Sequence, residues 1–247
     1  MGKELYRVED SYGLVIVTQR GDKRILSFDS NLEQSSIYMS KRYYLAHEYT
    51  QIMLLGLLFV EVENITLLGL GGGGLVHCLL HYFSQYEIQG VELRKSVLDV
   101  AYKWFELPQK NKLKIYCSDA YNYLKTLRPQ STNLIMSDLY VAGGMSEVQA
   151  QISFINLAHQ VLSKQGCLVI NFHLIPEADS LLMQEIHNVF SLVYICNVFK
   201  GNKVMFCCKM NEKITSDELK LKTKELVKQV EMPLMYYAKQ LKLAEKV

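Results

Sequence analysis

The chain has 247 residues, with 27 Lys and Arg against 25 Asp and Glu and a formal net charge of +2. That near-balance gives no chain-wide attraction for nucleic acid or for an anionic membrane surface. The length allows a full core, either as one domain or as a large domain with a small appendage. The opening residues, MGKELYRVEDSYG, contain no apolar stretch of the signal-peptide kind. The longest apolar run, Ile52 to Val60, is too short to span a bilayer. Six cysteines (Cys78, Cys117, Cys167, Cys196, Cys207 and Cys208) lie mostly in apolar contexts without a CxxC pair. This predicts buried free thiols in a reducing, cytoplasmic setting, with neither a zinc site nor a disulfide framework.

In chain order, residues 12–28 predict a hairpin turning at Arg20-Gly21-Asp22. Residues 29–40, DSNLEQSSIYMS, are polar and turn-rich. Residues 42–59 show apolar side chains at helical spacing and predict one helix. From residue 64 strands and helices alternate. The strands are ITLLGL, YEIQGVEL, LKIYCSD, STNLIMSDLY and GCLVINFHL. Between them come helices beginning at GLVHCLL, KSVLDVAYKWF, AYNYLKTL and the long SEVQAQISFINLAHQVL. A helix from Glu177 and a hairpin around Lys200-Gly201-Asn202 follow. Residues 215–247 predict two charged helices broken at Met232-Pro233, which cover one face or mediate association. The alternation implies an α/β fold: a Rossmann-like, mostly parallel sheet with helices on both faces over residues 61–247. A small N-terminal β region with its connecting helix precedes it, over residues 1–60.

Four consecutive glycines, Gly71 to Gly74, follow the first buried strand and open a helix. Gly69, Gly71 and Gly74 fit G-x-G-x-x-G, which supplies a tight turn, a close approach of backbone to ligand and close packing of helix on strand. The helix N-terminus adds unpaired N–H groups and the positive end of a dipole. Glu92 ends the next strand, about 20 residues on, where such folds place an acid for ribose hydroxyls. Asp119 ends the third strand, where a carboxylate can accept from an adenine amine or merely cap the following helix. Asp138 ends the fourth. A glycine turn and three acids at the carboxyl ends of successive strands predict a nucleoside site there, with Leu93 and Ala120 beside the acids.

These pieces, ITLLGLGGGG, GVELRKSVLDVAYKWFEL, CSDAYNYL and MSDLY, resemble the spermidine synthases, the polyamine aminopropyltransferases, in kind and spacing. The resemblance covers the chain from the first hairpin to the strand near residue 172. It implies a class I methyltransferase-like domain behind a small β domain. It implies decarboxylated S-adenosylmethionine, or S-adenosylmethionine itself, as co-substrate, without a metal. It also implies a small amine acceptor such as putrescine and a homodimer. Carried over, Glu92 holds the ribose, Asp119 holds the adenine amine, and Asp138 orients or deprotonates the attacking amine. Gln34 in DSNLEQSS matches a glutamine that contacts the nucleoside, and Tyr49 in HEYTQIM matches a substrate-facing tyrosine.

Three positions depart from the family pattern. Its GGGDGG loop has Gly72 here in place of the aspartate, its D-x-x-D has Val141 at the second acid, and Thr50 replaces an amide or imidazole. The loss of an acid at Gly72 tilts toward full S-adenosylmethionine, whereas Leu67, apolar where many methyltransferases carry an acid, tilts back. Tyr140, beside Asp138, is either an acceptor-stacking residue or core. His77 and His81, four apart on one helix, are expected to pack rather than ligate, and His173 at the end of the fifth strand is a weaker pocket residue. Three further readings stand beside aminopropyl transfer: methyl transfer, a non-catalytic nucleoside-binding protein and an NAD enzyme.

Overall fold

The computed structural model describes residues 2–29, 33–141, 144–199 and 201–246. It opens with an antiparallel sheet in the order β1-β2-β3-β4: β1 (Lys3–Asp10), β2 (Gly13–Arg20), β3 (Lys23–Phe28) and β4 (Glu33–Tyr38). The predicted hairpin is β2–β3. Both flanking strands escaped the sequence reading. β1 alternates charged and apolar side chains, and β4 lies inside the segment read as turn. Gln34, Ser35 and Ser36 of β4 are polar because they line a cavity, Ser36 buried and the other two half-buried.

The single helix expected over 42–59 is instead α1 (Glu48–Met53) followed by a 3-10 turn (Leu54–Leu58). Residues before it are held in a non-helical turn: the Tyr44 amide bonds the Lys41 carbonyl, Leu45 bridges Ile37, and Tyr43 stacks on His81 at 3.7 Å between ring centroids. Tertiary packing overrides the helical periodicity there.

The alternating region begins with β5 (Asn64–Leu68), α2 (Gly74–Tyr82), β6 (Glu87–Glu92), α3 (Lys95–Trp104), β7 (Leu113–Cys117), α4 (Ala120–Thr126) and β8 (Thr132–Ser137). A small ribbon, β9 (Tyr140–Val141) and β10 (Gly144–Met145), precedes a 3-10 turn (Glu147–Ala150) and α5 (Ile152–Val161). The long helix expected from residue 146 is therefore broken. Gln149 turns its side chain into the interior to bond three groups, and Gln151 is extended. Then follow β11 (Leu162–Phe172), α6 (Leu181–Val189), the hairpin β12 (Leu192–Asn197) and β13 (Lys203–Cys208), α7 (Ser216–Gln229), α8 (Leu234–Ala238) and β14 (Lys242–Leu243). Of the two tail helices only α7 is charged, because α8 buries Leu234, Tyr237 and Ala238.

The large sheet runs β14-β12-β13-β11-β8-β5-β6-β7. β11, β8, β5, β6 and β7 are parallel, and β13, β12 and β14 continue the sheet antiparallel. Apolar cores lie against both faces. This is a Rossmann-like sheet of the class I methyltransferase kind, with the order reversing between β5 and β8, where open α/β sheets bind ligands. Five cysteines are buried, Cys117 is exposed, and all six are free. No helix among the described residues is long and apolar enough to cross a membrane.

The small sheet packs Val15, Val17, Leu26 and Phe28 against Val97, Val100 and Phe105 of and after α3. An ion pair between half-buried Asp10 and buried Arg94 ties it to the large sheet. Arg94 Nη2 and Nε bond Asp10 at 2.8 and 3.1 Å, Nη2 also reaches the Gly13 carbonyl at 2.7 Å, and the guanidinium lies 4.6 Å from the Phe28 ring centre. Burial alone would raise the Asp10 pKa, but hydrogen bonds from Arg94, Ser96 and the Tyr12 amide bring it below the ordinary value. The Arg94 side chain is only 3% exposed, so removing its partner leaves a charge with no water to turn to. Asp10→Asn is expected to cost about 2 kcal/mol or more in urea unfolding. A change below about 0.5 kcal/mol would show that the pair does not hold the two sheets together.

Candidate active site

The site is a cleft of about 1080 Å³, including its open mouth, between the carboxyl ends of the parallel strands and the inner face of the small sheet. Gly69 begins its floor at φ 86°. A Cβ there would lie 2.2 Å from the Asp138 carbonyl oxygen, so the turn tolerates no side chain. Gly71, at φ 53°, brings the loop up to Ser35 of β4, whose Oγ accepts from the Gly72 amide at 3.1 Å. Gly74 opens α2 and also lines the cleft. Gly72 does not. A Cβ at that position would meet the Phe105 ring at 2.8 Å, pointing away from the cavity. The sequence reading of Gly72 as a charge missing from the ligand site is corrected accordingly, since side chains at 72 face the packing between the loop and α3.

Glu92, the last residue of β6, is 8% exposed and clasps the glycine loop. Its Oε2 accepts from the Leu70 and Gly71 amides at 3.1 and 3.3 Å, and Oε1 accepts from the Arg94 amide at 3.1 Å. Burial raises its pKa, and the three amides and the Arg94 charge oppose that rise. A carboxylate has about four acceptor positions, so one remains toward the cavity. Asp119 also lines the cleft while Oδ1 caps α4 through the Asn122 amide at 2.8 Å. Of the two roles considered for it, the helix cap is present in the structure. Leu93 and Ala120 line the same wall, and Gln34 of β4 lies across from them.

At the other end is Asp138, following β8. Burial pushes its pKa up to about 6, with hydrogen bonds from Asn171 and Tyr49 opposing the rise and the Glu92 charge adding to it. Asn171 Nδ2 donates to Oδ1 at 2.8 Å. The Tyr49 hydroxyl is directed at the same carboxylate, and burial together with that negative charge pushes the Tyr49 pKa well above the ordinary value. Tyr140 lines the cavity beside them, and its hydroxyl accepts from Asn202 Nδ2 at 3.1 Å. His47 stacks near Tyr49 and bonds Ser36 at 3.1 Å. Burial lowers its pKa, so the ring is neutral at pH 7. Glu92, Asp119 and Asp138 line the cavity; among the described residues no lysine or arginine does.

All the sequence-predicted site residues except Gly72 and the weaker candidate His173 meet in this cleft. Thr50 lines it too, with its hydroxyl bonded to the His47 carbonyl at 2.7 Å. His173 is exposed and does not line it. His77 bonds the Phe105 carbonyl at 2.9 Å, and His81 stacks on Tyr43. Sequence reasoning missed Ser35, Gln149, Asn171 and Asn202. Asn171 left one signal, an amide directly after the apolar run Cys167–Ile170.

No family model matches the chain. The "eEF1A lysine and N-terminal methyltransferase" of Xenopus laevis is 29% identical over 236 residues, 87% of this chain and 34% of that protein. The "Polyamine aminopropyltransferase" of Neisseria meningitidis serogroup A is 26% identical over 173 residues, 69% of this chain and 65% of that protein. The chain thus spans about a third of the first relative and just under two thirds of the second. Among solved structures, a probable spermidine synthase from Corynebacterium glutamicum superposes with a TM-score of 0.78 at 19% identity, over 98% of this chain and 90% of that one. Human methyltransferase-like protein 13, in complex with SAH, gives 0.66 at 23%, over 75% and 93%.

The raised Asp138 pKa carries a stability consequence. The folded state holds that proton more tightly than the unfolded chain, so the associated stability is full below about pH 4 and is lost as pH rises through about 6. Asp138→Asn, which keeps an acceptor for Asn171, is expected to stabilise the protein at pH 7.5 by about 1–3 kcal/mol, an advantage that fades toward pH 4. Equal stability at both pH values, read by thermal melts, would contradict the desolvated carboxylate. The chain thus has a spermidine synthase-like, class I methyltransferase-like fold, and its sequence is similar to proteins of both kinds.

Proposed function

We propose that the protein is a transferase that binds an adenosyl sulfonium and moves an aminopropyl group to an amine nitrogen. The observation that carries this reading is the charge of the cavity: Glu92, Asp119 and Asp138 against no lysine or arginine among the described residues. Such a lining favours a ligand that is cationic at both sulfur and amine. The carboxylate of full S-adenosylmethionine would find no side-chain cation there. The nucleoside would lie along the glycine loop, with its ribose at Glu92, its base near Asp119 and Gln34, and its sulfonium toward Asp138, Tyr49 and Tyr140.

The chemistry is a displacement at carbon. A neutral amine attacks the methylene bound to sulfur, the carbon–sulfur bond breaks, and its electron pair stays on sulfur as methylthioadenosine departs. The new nitrogen carries an extra proton, which Asp138 accepts. Sulfonium is a good leaving group, so positioning and a proton acceptor supply most of what is needed. An acceptor with a pKa of about 6 is ionised at neutral pH and still basic enough to share that proton. Methyl transfer to an amine is the second reading. It is favoured by the Xenopus relative, described as a lysine and N-terminal methyltransferase, which aligns over 87% of this chain.

Calorimetry with decarboxylated S-adenosylmethionine, S-adenosylmethionine, methylthioadenosine and NAD separates these readings. The decarboxylated form is expected to bind at least about tenfold more tightly than the parent, a difference of about 1.4 kcal/mol. The reverse order would favour methyl transfer, and tight NAD binding would overturn both. Asp138→Asn is expected to abolish turnover while keeping methylthioadenosine affinity within a few-fold. Equal loss of both would remove Asp138 from its role.

A further inference from the structure

Behind Asp138 lies a chain of amides that neither the glycine motif nor the nucleoside site requires. Asn171, 1% exposed near the end of β11, donates through Nδ2 to Asp138 Oδ1 at 2.8 Å. Its own Oδ1 accepts from Asn202 Nδ2 at 3.0 Å. Asn202 lies in the turn joining β12 to β13, and the same Nδ2 reaches the Tyr140 hydroxyl at 3.1 Å. One side-chain amide thus touches both the residue beside the acid and the residue behind it.

We propose that Asn171 and Asn202 are positioning residues: Asn202 fixes which way the Asn171 amide faces, and Asn171 thereby holds Asp138 with its free lone pairs toward the cavity. The inference rests on the reading of Asp138 as the proton acceptor.

An asparagine side chain can turn end for end at little steric cost, exchanging donor for acceptor. Turned over, Asn171 would set a carbonyl oxygen against the carboxylate, with no water in between to separate the two. The Asn202 donor occupies the carbonyl of Asn171 and so excludes that state. The backbone is held as well. Gln149, fully buried, accepts from Ser137 Oγ at 2.8 Å and the Leu139 amide at 3.2 Å, one residue to each side of Asp138. Its Nε2 donates to the Asn171 carbonyl at 2.8 Å. Asn202 is half-buried and belongs to a hairpin turn, so the relay runs from a surface turn to the buried acid.

The other groups around Asp138 bear on its protonation but do not replace the relay. Tyr49 from α1 faces the carboxylate, Glu92 from β6 adds a like charge, Tyr140 follows on β9, and neutral His47 stacks on Tyr49. Among these only Tyr49 directs a hydroxyl at the acid, so without Asn171 the carboxylate loses its 2.8 Å donor and keeps the full penalty of its burial.

The test is a carbon-13 NMR titration of the Asp138 carboxyl in the ligand-free protein, run beside the pH profile of kcat/KM for amine transfer. The wild-type midpoint is expected near 6. Asn171→Leu and Asn202→Asp are each expected to raise it by about half a unit or more, the latter because an aspartate draws the Asn171 donor away. Asn202→Ala is expected to give a smaller rise, and the acid limb of kcat/KM should follow the midpoint in each variant. Asn202 lies near the surface, so its variants test the relay even where Asn171→Leu does not fold. Folded Asn202 variants with an unmoved midpoint and an unmoved acid limb would overturn the proposal. Shifted midpoints in a protein inactive on every amine would support the relay and overturn the transfer reading alone.

Discussion

A carboxylate withdrawn from water at the end of β8 is the constraint on which the rest of the site depends. Asp138 cannot ionise cheaply where it is, and the fold answers with donors: Asn171 from the neighbouring strand and Tyr49 from the helix that follows the small sheet. α1 is short because the residues before it are held in a turn and an isolated bridge. The turn before α5 breaks so that Gln149 can bracket Asp138 from inside. An acid that destabilises the folded chain at neutral pH, in the cavity and beside two tyrosines, fits a group kept for chemistry.

The small sheet completes the cavity. Without β4 the glycine loop would lack Ser35, and the cleft would be open on the side of Gln34. The Arg94–Asp10 pair ties that cover to the residue two beyond Glu92, whose carboxylate in turn holds the loop. Cover, acid and loop are thus joined by a short series of hydrogen bonds.

Much of this was legible in the sequence, for physical reasons. Buried parallel strands read as apolar runs, so β5, β6, β8 and β11 stood out, and the glycines and acids at their ends marked one rim. What escaped was polar and local. Ser35 lay in a segment whose hydroxyls suggested turn, because a strand facing a polar cavity loses its apolar alternation. Gln149 fitted a helical pattern, and its inward rotation depends on Ser137 and Asn171, which are distant in sequence. Asn202 beside Gly201 carried ordinary turn chemistry that concealed its second partner. Gly72 was misjudged because loop alignment gives a position but not the direction of a missing Cβ, and here that direction is Phe105.

The most direct measurement is a crystal structure of the protein soaked with methylthioadenosine. The expected result has the ribose hydroxyls on Glu92, the base beside Asp119 and the sulfur facing Asp138 and Tyr49. A nucleoside bound elsewhere, or one in this cleft with its sulfur turned away from Asp138, would contradict the assignment.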